Sequence, residues 1–294
     1  MIELPRHSCL NTPQVTRFAP SPTGYLHLGH AYSAAYAKAL ADQSDGQFLV
    51  RIEDIDRNRS KLMFETAIYE DLGFLGLAPS GPVLRQSDRM AAYGQALAVL
   101  QAKELTYPCF CTRAEITREM AAMGRAPHGP DGPPYPGTCK RLSADERAAR
   151  IASGELHAIR LDLDCAMEAT GPLTFEEIDG AEGHGAGTHK VDPFPLGDVV
   201  IARKDVPVSY HLSVVVDDAF QNVTLVTRGA DLFFATPIHR LLQALLKLPQ
   251  PLYAHHRLVR DGAGRRLAKR ADDLAIRALR EQGDGAEEVL ARLP

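Results

Sequence analysis

An export or anchoring segment is the first thing this chain lacks. MIELPRHSCLNTPQ carries no apolar core of the kind a signal peptide needs, and no apolar run approaches the length a bilayer requires. A cytoplasmic protein with no membrane partner is therefore expected. An excess of positive charge is missing too. The 33 Lys and Arg against 37 Asp and Glu leave a net charge of −4, which excludes attachment to nucleic acid by bulk electrostatics and confines any RNA contact to local patches. Nor is there an even set of cysteines. Cys9, Cys109, Cys111, Cys139 and Cys165 are five, and without an export signal they argue for thiols or metal ligands rather than a disulfide framework. A G-x-G-x-x-G phosphate loop is absent as well, since GHGAG at Gly183 to Gly187 has the wrong spacing and follows no convincing strand.

What is present is a globular composition, 45% hydrophobic and 24% charged over 294 residues, enough for one large or two ordinary domains. The chain is organised around RFAPSPTGYLHLGH, from Arg17 to His30. VTRFA reads as a buried strand, the prolines and Gly24 break it, and an alanine-rich helix follows after Leu26 through Asp42. His27 and His30 fall three apart on the first helical turn. A helix N-terminus attracts anions, and two imidazoles there add donors for a phosphate oxygen gaining charge. A lone HxxH is more often structural, and as a zinc site it lacks a third ligand nearby.

In its surroundings the segment resembles the HIGH motif of class I aminoacyl-tRNA synthetases, here His27-Leu28-Gly29-His30, in the form used by the glutamyl branch. The resemblance implies an α/β fold, a Rossmann-type synthetase core with a parallel sheet, split by a zinc-binding insertion. It implies that His27 and His30 stabilise the transition state of adenylate formation and that Gly29 lets the ATP base approach the backbone. Arg17, Ala19 and Ser21 match positions lining the amino-acid pocket. After strand QFLVRI, the stretch RIEDID resembles the family element whose first carboxylate, here Glu53, binds the α-ammonium group of the substrate. Asp56 reads equally as a helix N-cap for a segment from about Ser60 to Gly73. Tyr210 and Arg228 stand where the glutamyl branch contacts substrate, Arg228 meeting the side-chain carboxylate bidentately. A planar guanidinium separates Glu from Gln because an amide offers it only one acceptor.

Cys109-Phe110-Cys111 followed by Tyr135 and Cys139 resembles the zinc site of glutamyl-Q tRNA(Asp) synthetases, with three thiolates and a phenol oxygen. Three cysteines suit tetrahedral Zn2+ on chemistry alone, and His128 rivals Tyr135 for the fourth position. From His255 to Arg280 eight Lys and Arg face three Asp. Within that stretch Arg266-Leu267-Ala268-Lys269-Arg270 resembles the KMSKS loop, with Arg266 and Lys269 at its basic positions and Ala268 in place of serine. The family would thus place Lys269 on the β,γ-phosphates of ATP, with Mg2+ bridging.

The expected segments are 15–108 for the first half of the core, 109–190 for the zinc-binding and insertion region, 191–255 for the second half, and 256–294 for the KMSKS-like loop and a helical end. Only about 25 residues follow Lys269, which leads to the expectation of a core without an anticodon-binding domain. The implied substrates are ATP, L-glutamate and tRNA(Asp) bearing queuosine, handled by a monomer. A shortened glutamyl-tRNA synthetase, a non-catalytic glutamate- or ATP-binding paralogue and a non-tRNA adenylyltransferase are the alternatives.

Overall fold

The computed structural model describes residues 2–122, 135–260 and 275–294. Arg266, Lys269 and His128 lie outside the described residues. The strands are β1 (Val15–Phe18), β2 (Gln47–Ile52), β3 (Leu84–Arg85), β4 (Thr106–Cys109), β5 (Ala158–Leu161), β6 (Thr174–Glu177), β7 (Gly187–Lys190), β8 (Val200–Ala202), β9 (Leu225–Gly229) and β10 (Leu252–His256). The helices are α1 (Leu28–Gln43), α2 (Leu62–Phe74), α3 (Met90–Ala102), α4 (Arg113–Ala122), α5 (Ala144–Ala152), α6 (Leu163–Thr170), α7 (Tyr210–Phe220), α8 (Thr236–Leu246), α9 (Ile276–Glu281) and α10 (Ala286–Ala291).

Two parallel blocks make the main layer. In one, β2 lies between β1 and β3; in the other, β10 lies between β9 and β6, with β7 added antiparallel at the edge. They abut where the Thr224 N–H donates to the Val15 carbonyl at 3.0 Å and the Thr227 hydroxyl to the Arg17 carbonyl at 3.4 Å. The order across the layer is thus β3-β2-β1-β9-β10-β6, and the direction of chain progression reverses between β1 and β9. In an open α/β sheet that switch point is where a crevice forms beyond the carboxyl ends of the strands.

Both faces of the layer are covered, which is why β1 and β9 are almost wholly buried rather than alternating. On one side α1 lays Ala31, Ala34, Ala35 and Ala37 against the strands, small residues that let it approach closely, and α9 and α10 close the same core through Ile276, Leu279 and Val289. On the other side α3, α7 and α8 pack through Tyr93, Leu100, Leu212, Val215, Leu241 and Leu242. A separate antiparallel sheet of β4, β5 and β8 carries the cysteine region.

Local expectations are met with small shifts. The helix expected after Leu26 begins at Leu28, with His27 as its N-cap. Asp56 caps nothing: α2 starts after Lys61 without a side-chain cap, and Asp56 instead pairs with Arg203 at 3.2 Å. β6, within the stretch read from sequence as insertion, joins the main layer beside β10. Among the described residues no helix is long and apolar enough to cross a membrane.

Candidate active site

A cavity of about 600 Å³ opens beyond the carboxyl ends of β1 and β9. Its wall holds Arg17, Ala19, Ser21, His27, Gly29, His30, Glu53, Tyr210 and Arg228, together with Ser33, Asp231 and His256. Residues spread over more than two hundred positions of sequence thus meet in one crevice. The proline loop that turns β1 into α1 is pinned by Glu53 N–H to the Pro20 carbonyl and Lys61 N–H to the Pro22 carbonyl, both 3.0 Å.

His27 and His30 cap α1 reciprocally. The His27 Nδ1 accepts from Gly29 N–H at 3.1 Å, the His30 Nδ1 accepts from His27 N–H at 3.2 Å, and the rings lie 3.8 Å apart. With both Nδ1 atoms acting as acceptors, each neutral imidazole carries its proton on Nε2. Gly29 has a structural reason to lack a side chain, since a Cβ there would stand 2.9 Å from Cε1 of the His27 ring. At Gly229 a Cβ would meet Asp231 Oδ1 at 2.4 Å.

Beneath the cavity lies a buried charge network. Arg17 Nε donates to Asp218 Oδ1 at 2.9 Å and its Nη1 to the Thr227 carbonyl at 2.7 Å. Arg51, fully buried, donates to the same Asp218 Oδ1 at 2.6 Å and to Glu53 at 3.3 Å. Burial pushes the Glu53 carboxyl up, opposed chiefly by Arg51. The Asp218 carboxyl is held down, Arg17 and Arg51 outweighing its burial. Arg17 and Arg51 pair with Asp218 and Glu53, whereas the hydrogen bonds of Arg228 go elsewhere; Asp231 on the cavity wall and Glu177 behind His255 add carboxylates to the same region.

Arg228 is held by other groups. Its Nε donates to His255 Nε2 at 3.0 Å, its Nη1 to His239 Nδ1 at 2.8 Å and its Nη2 to Thr236 Oγ1 at 2.7 Å. All three partners are neutral acceptors, so the guanidinium is oriented without being neutralised. Asp218, His239 and His255 are functional neighbours that the sequence reading passed over. The two carboxylates of VVVDDAF in an otherwise apolar helix were the signal for Asp218, whereas a single histidine in amphipathic α8 carries none.

Leu258 and Val259 lie on the cavity wall, Ala275 bridges to His27, and Ile276 N–H donates to the Leu26 carbonyl at 2.8 Å, so the described residues on either side of positions 261–274 stand beside the crevice.

The cysteine region is a second site. The Sγ atoms of Cys109, Cys111 and Cys139 lie within 4.8 Å of one another. Cys111 Sγ stands 3.5 Å from both Cys139 Sγ and the Tyr135 phenol oxygen. Tetrahedral bonds of about 2.3 Å to one metal place thiolate sulfurs about 3.8 Å apart, so the donor set fits a metal ion. Tyr135 also accepts from Cys139 N–H at 2.7 Å, and the Arg160 guanidinium stacks 3.7 Å over its ring.

A sequence model of the family described as tRNA synthetases class I (E and Q), catalytic domain, matches residues 14–293. The glutamyl-Q tRNA(Asp) synthetase of Rhodobacter capsulatus is 47% identical over 280 residues, covering 94% of this chain and 98% of its own length. That of Symbiobacterium thermophilum is 40% identical over 288 residues, covering 94% and 84%. Among solved structures, a glutamate tRNA ligase from Elizabethkingia meningosepticum in complex with its amino acid superposes with a TM-score of 0.71 at 27% identity. The match covers 89% of this chain but only 53% of that ligase, so the chain spans about half of the solved relative.

Proposed function

The chain belongs to the class I tRNA synthetases of the glutamate and glutamine branch, and from that premise we propose that it activates L-glutamate with ATP and transfers the glutamyl group to the queuosine base of tRNA(Asp). One observation carries the reading: a single cavity joins the capped imidazoles of α1 to an acid, Glu53, and a non-neutralised cation, Arg228.

The chemistry follows from charge. The γ-carboxylate of glutamate offers Arg228 an anion that its hydrogen-bond partners His239, His255 and Thr236 do not supply, and the amide of glutamine does not. The carboxylate of Glu53 suits the α-ammonium group, Arg228 the γ-carboxylate, and Arg17, Ala19, Ser21 and Tyr210 complete the wall. The α-carboxylate is already ionised and needs no general base. Its oxygen bonds to the α-phosphorus of ATP while the bond to the bridging oxygen breaks and pyrophosphate leaves. His27 and His30, through Nε2–H, and the N-terminus of α1 stabilise the growing charge on the phosphate oxygens. Arg266 and Lys269 would meet the β,γ-phosphates, and Mg2+ bound with ATP would supply further charge neutralisation there. A hydroxyl of the queuosine cyclopentene ring then attacks the acyl carbon and AMP leaves.

At the second site Cys109, Cys111 and Cys139, with Tyr135 as the fourth ligand, would hold Zn2+ in a structural role. One chain carries every group this reaction uses, so a monomer suffices, and the cytoplasm is the compartment where its substrates occur.

The test incubates purified protein with labelled glutamate, ATP and tRNA(Asp) with and without queuosine, and in parallel with tRNA(Glu). Label should appear only on the queuosine-bearing tRNA; label on the 3′ end of tRNA(Glu) would overturn the transfer step in favour of ordinary glutamyl-tRNA synthesis.

A further inference from the structure

Arg228 is treated differently from the other two arginines of the pocket. Arg17 and Arg51 are each met by a carboxylate, Asp218, at 2.9 and 2.6 Å. Arg228 is met by imidazoles. Arginine donates at every N–H and accepts at none, so the facing nitrogens, His255 Nε2 and His239 Nδ1, must present lone pairs. That fixes the remaining tautomers outward. The His255 Nδ1–H donates to Glu177 at 2.5 Å, and Glu177 also takes the His255 backbone N–H at 2.9 Å. The His239 Nε2–H donates to His211 Nδ1 at 3.1 Å. Glu177, His239 and His255 are all buried, so each ring is locked by what lies behind it.

We propose that His239 and His255 are positioning residues that hold the Arg228 guanidinium in one orientation without cancelling its charge, and so set the preference for a substrate carboxylate over an amide. His255, His239 and Thr236 take one N–H each from Nε, Nη1 and Nη2, and Tyr210 on the cavity wall also reaches the guanidinium, so the remaining terminal N–H groups are shared between Tyr210 and a carboxylate approaching from the cavity. A carboxylate in place of either ring would orient Arg228 equally well but neutralise it. A neutral acceptor is the group that does one without the other. The inference rests on the reading of Arg228 as the clamp for the substrate's far carboxylate.

The experiment compares three substitutions at one position in glutamate-dependent ATP–pyrophosphate exchange, with melting curves to establish folding. His239→Asn keeps an oxygen lone pair where Nδ1 stands, His239→Asp keeps the shape and adds charge, and His239→Leu removes the acceptor. Expected are a glutamate KM close to wild type for His239→Asn and one raised at least about tenfold for both His239→Asp and His239→Leu. The KM for ATP should stay near the wild-type value in all three, and glutamate-over-glutamine selectivity should fall with the glutamate KM. Should His239→Leu not fold, the Asn and Asp pair, identical in shape, still carries the contrast. Equal glutamate KM values for Asn and Asp would overturn the proposal while leaving the activity intact; wild-type protein showing no glutamate-dependent exchange would overturn both.

Discussion

The His27 ring lies directly on Gly29, its Cε1 2.9 Å and its Nδ1 3.0 Å from where a Cβ would be. Gly29 is thus the residue over which the helix cap folds back, and the same ring is one of the two imidazoles facing the cavity. Gly29→Ala sets two effects against each other. Alanine favours a helix by about 1 kcal/mol over glycine, whereas displacing the cap costs about as much. Thermal stability should therefore change little while pyrophosphate exchange falls by about tenfold or more, because the ring cannot keep both its cap bond and its place. A variant with normal exchange would refute the coupling of cap and site.

Asp218 supports two arginines with one carboxylate, so its removal should be felt in folding as well as in binding. Asp218→Asn leaves the buried Arg17 without its carboxylate and Arg51 with Glu53 as its remaining ion-pair partner, and breaking such a network by deleting one partner costs about 3–5 kcal/mol. Urea unfolding should show that loss. A change below about 1 kcal/mol would mean that water reaches the network.

Acid should loosen the same region. His211 and His255 are each pushed down to about 4, and His239 is held well below its ordinary value; burial is the main cause in each, and the Arg228 charge also lowers all three. The charged and titratable groups facing them include Arg228 on β9, Arg17 on β1, Glu177 on β6, Tyr210 on α7, and Tyr253 and His256 on β10. A depressed folded-state value means the unfolded chain binds protons that the folded chain refuses. The stability these rings contribute is complete above their ordinary 6.5 and is lost as pH falls toward 4. Glu177, whose carboxyl is held low through His255 despite its burial, acts in the same direction. Each proton taken up on unfolding adds a slope of about 1.4 kcal/mol per pH unit. Unfolding midpoints should drop steeply across that window, and His239→Asn should reduce the slope by about one proton. A flat profile would contradict the neutral-imidazole arrangement.

Much of this was legible before any coordinates. The strand, proline break and helix around Arg17 to His30 speak through local chemistry, since prolines cannot continue a ladder and an HxxH at a helix start has few other meanings in that setting. Arg17, Glu53 and Arg228 could be placed at strand ends because buried parallel strands read as apolar runs. What surrounds Arg228 could not be read. His239 in TPIHRLLQ looks like any half-buried histidine of an amphipathic helix, and only the packing of α8 over β9 brings it to the guanidinium. Asp56 misled in the other direction: acids before a helix usually cap it, but here the pairing with Arg203 across the chain prevails. β6 is short, and its place beside β10 rests on a single paired position that no local pattern announces.

The cysteine cluster makes the last prediction. Cys109 ends β4, Cys111 lies two residues on, and Tyr135 and Cys139 come from a later stretch held also by Lys140 to Asp162 and Asp164 and by Arg160 over Tyr135, so a bound ion would add a direct tie among the four. Lys204 Nζ donates to the Phe110 carbonyl at 2.6 Å, and its neighbour Arg203 reaches Asp56 beyond the end of β2, linking the cluster to the loop that carries Glu53. Cys139→Ser should abolish stoichiometric zinc, measured by atomic emission on the dialysed protein, and lower the melting temperature by several degrees. Tyr135→Phe removes both a ligand oxygen and the acceptor for Cys139 N–H, so zinc affinity should fall by about 10–100-fold without being lost. Because Lys204 and Arg203 link the cluster to Asp56 rather than to a residue of the cavity wall, pyrophosphate exchange should survive both changes better than it survives Gly29→Ala. Zinc retained at full stoichiometry by Cys139→Ser would disprove the assignment of ligands.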